Sequence, residues 1–148
     1  MGLKQILSKH KQKQTINFVS TEKTINTQTN IIMSTKSNET KNDKRIKCFC
    51  FNIIANNLSG LKLHLKAIQY YLKAEKNSLS ESQKYTIYNN ISQEYINLKE
   101  HQNAAEYLMK IISSKKIQII KSHQIHLKLN EIKNKIKYQK ITTTLNQA

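Results

Sequence analysis

Cys48 and Cys50 are the two thiols of this chain, and a thiol can ligate a metal or carry redox chemistry. They flank Phe49 with no second thiol pair nearby, so they do not make a structural zinc site. A disulfide inside such a short loop would be strained on a helix. Both thiols are expected to be free and half-buried. His123 and His126 stand three apart and could share a helix face. With no carboxylate or thiol beside them they are expected to face solvent. The nine acidic residues are spread thinly, and no pair suggests acid/base work. There is no P-loop, dinucleotide glycine motif, H-E-x-x-H or G-x-S-x-G. The chain therefore reads as a non-enzyme with no cofactor and no metal. What remains are side-chain amides. Asn52 with Asn56, and Asn89 with Gln93 and Asn97, are spaced by four, so each set forms one row on a helix. An amide donates and accepts, and can pair with the backbone of an extended peptide. The plain alternative is a solvated row, since Asn is common throughout.

The elements that must position these rows centre on Tyr85 to Lys116. Tyr88, Ile91, Tyr95 and Leu98 fall at helical spacing. Ala104, Ala105, Leu108, Ile111 and Ile112 give a second helical face after a short charged link, Lys99 to Gln102. Two amphipathic helices so closely linked must lie antiparallel, each covering the other's stripe. Ser92 and Ala104 sit where the helices would cross, and only small side chains permit close approach there. The preceding stretch repeats the order: Phe51, Ile54, Ala55 and Leu58, then Ala67, Tyr71 and Ala74. Ala67 and Ala104 lie 37 positions apart. Gly60 is the expected stop of the first helix. Ser80 with Gln83 reads as a capping box for the third.

These residues resemble the tetratricopeptide family. Tyr88-x2-Ile91-Ser92-x2-Tyr95 followed by Ala104-x3-Leu108 is similar to that family's W-x2-L-G-x2-Y and A-x3-F. The departures are Ser92 for Gly, Leu108 for the aromatic, Lys99 at the turn and no closing Pro. The resemblance implies an all-α array of two helical hairpins, and binding of a protein or peptide on a concave face lined by the first helix of each unit. On that face it places Asn52, Asn56, Ser59, Asn89, Gln93 and Asn97. The chaperone-type carboxylate clamp of the family is not matched. Asn56 and Asn90 fit two of its places, but Asn52, Ile120 and Gln124 stand where basic residues are needed.

Residues 1–43 are polar, aperiodic and basic, and are expected to stay disordered. Residues 44–116 hold the two hairpins. Residues 117–148 are expected to form a basic capping helix and tail, with Ile125, Leu129, Ile132 and Ile136 as its inward stripe. The formal charge of +16 divides as +7, +4 and +5 over residues 1–50, 51–116 and 117–148. An alternative function follows from it: a nucleic-acid or anionic membrane surface binder acting through Lys-rich termini. Only Arg45 is an arginine, and Lys, Asn and Ile are all A/T-rich codon residues, so codon drift is a competing source of the charge. A further alternative is a fragment of a longer repeat array, since about three repeats are usually needed for stability. With no membrane-span pattern and no signal-peptide pattern, the expected location is cytoplasmic.

Overall fold

The computed structural model describes residues 19–32, 34, 40–114 and 119–147, and every element among them is an α-helix. The order is α1 (19–32), α2 (Lys41–Gly60), α3 (His64–Lys76), α4 (Glu81–Asn97), α5 (His101–Ile112) and α6 (Ile119–Gln147). Each helix from α2 onward packs on the next in sequence.

The described part of the N-terminal segment departs from the expectation of disorder. Residues 19–32 are helical, and Ile25 and Ile32 pack against the first core. Two isoleucines one heptad apart give the helix a narrow apolar seam. The hydroxyls of Thr24, Thr27 and Thr29 donate to carbonyls four residues back, so these polar side chains carry no unmet donor. Helix α2 also starts earlier than the expected boundary at Lys44. Thr40 is its N-cap: the hydroxyl accepts from the Asp43 N–H, and the Asp43 carboxylate accepts from the Thr40 N–H. That reciprocal pair satisfies end groups that would otherwise lack partners. The signal was the Thr-x-x-Asp spacing. Backbone and hydroxyl bonds from Thr40 hold the Asp43 carboxyl below its usual range.

The turn α2–α3 and the turn α4–α5 are copies. Leu63 N–H donates to Leu58 O and Lys62 N–H to Ser59 O; 37 residues on, Glu100 N–H donates to Tyr95 O and Lys99 N–H to Ile96 O. This pair of bonds is the Schellman ending of a helix. Its left-handed residue is Lys62 in one turn (φ 60°) and Lys99 in the other (φ 62°). The expected stop at Gly60 matches the end of α2, but the left-handed residue is not the glycine. Gly60 is the last helical residue, its φ is not positive, and the chain turns two residues later on a lysine.

The small residues expected between the paired helices are buried. Ala55, Ala67, Ser92 and Ala104 are all sealed from solvent. Ser92 satisfies its hydroxyl locally by donating to Asn89 O at 2.7 Å. Aromatic pairs flank both contacts at the same repeat: Phe51 with Tyr70, and Tyr88 with Tyr107. A lysine ammonium lies over each pair, Lys73 over the first and Lys110 over the second. Burial, and after it the hydrogen bond to Glu75, pushes the Tyr88 hydroxyl pKa well up. At the α4 start, Ser80 accepts from Gln83 N–H as expected, but the Gln83 side chain reaches Leu79 N–H instead of the cap residue.

Two apolar clusters result. Ile54, Ala55, Leu58, Ala67, Ile68, Tyr71, Ala74, Ile87 and Ile91 belong to the first. Ala104, Leu108 and Ile111 join Ile125, Leu129 and Ile132 of α6 in the second. The expected inward stripe of the last helix is therefore the one that packs on α5, with Ile136 half-buried at its end. Beyond it, residues 137–146 are all exposed. No helix among the described residues is long and apolar enough to cross a membrane.

Candidate functional site

The amide rows sit on α2 and α4, and the structure treats their members differently. Asn52 is half-buried in a cleft of about 180 Å³ between the two helices, with Cys48 and Phe49 on one wall and Ser82, Gln83, Thr86 and Ile87 on the other. Its Oδ1 is buried without a hydrogen-bond partner. Phe49 stands at the rim, 64% exposed. An acceptor left unmet costs about 1–3 kcal/mol; this one is covered, so a ligand N–H meets it only where the cleft wall moves aside. Its floor is apolar, with Ile87 and Cys48 buried. Burial raises the pKa of both thiols, Cys48 and Cys50, and neither is in a disulfide. Raised thiols are poor nucleophiles and poor metal ligands.

Asn56 is exposed, and its Oδ1 accepts from the Tyr71 hydroxyl at 2.6 Å. Asn89 turns toward the C-terminal helix, where Lys128 Nζ donates to its Oδ1 at 3.5 Å, the long limit for such a bond. Burial lowers the Lys128 pKa. Gln93 and Asn97 are exposed and paired with each other, Nε2 to Oδ1 at 3.3 Å. The five residues thus form no single hydrogen-bonded row. Asn52 opens to the α2–α4 cleft, Asn56 is tied to α3, and Asn89 is tied to α6.

The centre of the polar chemistry is a glutamate outside the amide rows. Glu94 is 3% exposed. Its Oε1 accepts from Ser59 Oγ at 2.6 Å and its Oε2 from His64 Nδ1 at 2.6 Å. With its proton on Nδ1 the His64 ring donates to this carboxylate. Tyr71 extends the cluster: its hydroxyl meets Asn56 and also Asn90 of α4. Burial, with the nearby Glu94 charge, pushes the Tyr71 pKa up to about 12. One carboxylate thus joins α2, α3 and α4. The signal was present in the sequence. Ile87, Ile91 and Glu94 fall at i, i+4 and i+7, so an acid stands on an apolar stripe.

A serine, a histidine and a glutamate in contact invite comparison with a nucleophile triad. The connectivity is wrong for it. In a triad the imidazole stands between hydroxyl and acid. Here the acid stands between hydroxyl and imidazole, so the imidazole does not meet Ser59 and the relay order of a triad is absent. Among the described residues no group of three or more His, Cys, Asp or Glu could hold a metal ion. His123 and His126 are exposed, and His126 Nδ1 bonds Ser122 O at 2.7 Å. No protein-family model, no curated protein and no solved structure matches this chain.

Proposed function

We propose that this chain is a short tetratricopeptide-like repeat module that binds a peptide segment of a partner protein through the face shared by α2 and α4, without catalysis. The observation that carries the reading is the α2–α4 cleft, with an unmet Asn52 acceptor inside and an exposed Phe49 at its rim. The 37-residue recurrence of turn, small contact pair and aromatic pair supports the repeat assignment. A peptide backbone N–H that enters as the cleft wall yields supplies the donor that Asn52 lacks, and Phe49 offers apolar area for one side chain. Asn56, Gln93 and Asn97 extend the face, while Asn89 contributes through its tie to Lys128.

The test is a peptide-array or phage-display selection on the folded chain, followed by titration of the best binder. Asn52→Ala is expected to weaken it a few-fold to about tenfold, from one hydrogen bond of about 0.5–1.5 kcal/mol, and Phe49→Ala by at least as much. Affinity should change little between low and moderate salt. A steep salt dependence with Asn52→Ala and Phe49→Ala both silent would favour the Lys-rich termini and an anionic partner instead.

A further inference from the structure

His64 and His101 hold the same place in the two repeats, each the first residue of the helix after the turn. His64 Nδ1 lies 2.6 Å from Glu94 Oε2. His101 Nδ1 is buried with no partner. The following helix explains the difference. Ile125, Leu129 and Ile132 lie 34 residues after Ile91, Tyr95 and Leu98, and in that alignment Lys128 stands where Glu94 does. An ammonium cannot accept a proton from imidazole. The one acid of α6, Glu131, is 66% exposed on its side chain and paired with Lys135 at 2.8 Å. Beside His101 lies a cleft of about 630 Å³ between the α4–α5 turn and the far half of α6. Lys99 and Lys140 line it. So does Glu100, whose carboxylate accepts from Asn103 Nδ2 at 2.6 Å.

We propose that this cleft takes a carboxylate side chain, Glu or Asp, from an acidic segment of a partner protein, seated on His101 as Glu94 is seated on His64. The repeat itself provides the template: the same ring at the same turn already holds a carboxylate once. Two lysines against one committed acid give the cleft a positive balance, and the +16 chain draws acidic segments toward it. The imidazole nitrogen is covered, so seating a carboxylate on it requires the cleft to open, and its α6 wall is the side free to yield. That wall is the stretch after Ile136, where every side chain through residue 146 is exposed. This site is separate from the α2–α4 cleft, and Asn52→Ala leaves it unchanged.

The probe is a fluorescein-labelled, C-terminally amidated Glu–Ala repeat peptide, with its Gln–Ala counterpart as control, titrated into the full chain. The Glu peptide is expected to bind and the Gln peptide to bind at least about tenfold more weakly, as loss of charge-assisted hydrogen bonds implies. Lys99→Gly removes the cation while keeping the left-handed turn, so folding is safe. It and His101→Ala are each expected to weaken binding roughly tenfold. Lys66→Ala removes the same charge from the exposed side of α3 and should change affinity by less than about twofold. The ring nitrogen resonances of His101 should move on titration, with those of His64 still. Equal binding of the two peptides, equal loss in Lys66→Ala and Lys99→Gly, a silent His101 resonance, or binding only when the peptide carries a free C-terminal carboxylate would each overturn the proposal.

Discussion

The α2–α3 turn and the α4–α5 turn share a backbone hydrogen-bond pattern, a left-handed lysine and a leading histidine. One is closed over a buried carboxylate and the other opens on a cleft. The shared features are local, fixed within a few residues of the turn. The difference comes from the helix that packs next. Helix α4 presents Glu94 to its neighbour; α6 presents Lys128 and turns Glu131 outward. A repeat can therefore be regular in backbone while its side-chain closure is decided one helix further on.

The sharpest way to break this comparison is to remove the carboxylate from each side. Glu94→Ala strands Ser59 and His64 and leaves a cavity, with an expected loss of about 2–4 kcal/mol. Glu131→Ala, at an exposed site, should fall within about 0.5 kcal/mol of the parent. Urea unfolding followed by circular dichroism measures both. Equal losses would mean that Glu94 does not clasp the three helices.

Next in size is the contact between paired helices. Ala67→Leu and Ala104→Leu should each cost roughly 1–3 kcal/mol by overpacking. Ala105→Leu should cost less, because Ala105 is only half-buried. Melting temperatures that put Ala105→Leu level with Ala104→Leu would show that the small pair does not set the helix approach.

The smallest effect has the opposite sign. Lys62→Gly and Lys99→Gly should each stabilise by about 0.5–1 kcal/mol, since a left-handed backbone costs a side-chain-bearing residue about 1–2 kcal/mol and glycine returns part of that as chain entropy. Matching gains in the two turns would sharpen the claim that their backbones are equivalent. A gain in one alone would break it.

Much of the helical framework was legible from residue spacing. Ile91, Tyr95 and Leu98, then Ala104 and Leu108, mark their faces because a helix repeats every 3.6 residues whatever surrounds it. The small residues Ala55, Ala67, Ser92 and Ala104 were legible as buried positions by size and place, and the inward stripe of α6 by its period. The α2 cap was legible too, in Thr40 and Asp43, though the polar stretch before it hid the signal. Helix α1 was not: its seam is two isoleucines, and their burial depends on a core that lies elsewhere in the chain. Nor was the turn chemistry. Gly60 marks the helix end as its type suggests, but the Schellman bonds place the left-handed residue two positions later, at Lys62. The amide rows were visible as spacing, yet Asn52 faces a cleft, Asn56 a tyrosine and Asn89 a lysine of α6. Glu94 meets Ser59 and His64 across 35 and 30 residues of chain. The sequence determines which residues share a face because that is a property of one helix. Only the tertiary structure decides which face meets which, because a buried carboxylate chooses among donors brought together by packing, at a desolvation cost that only close partners offset.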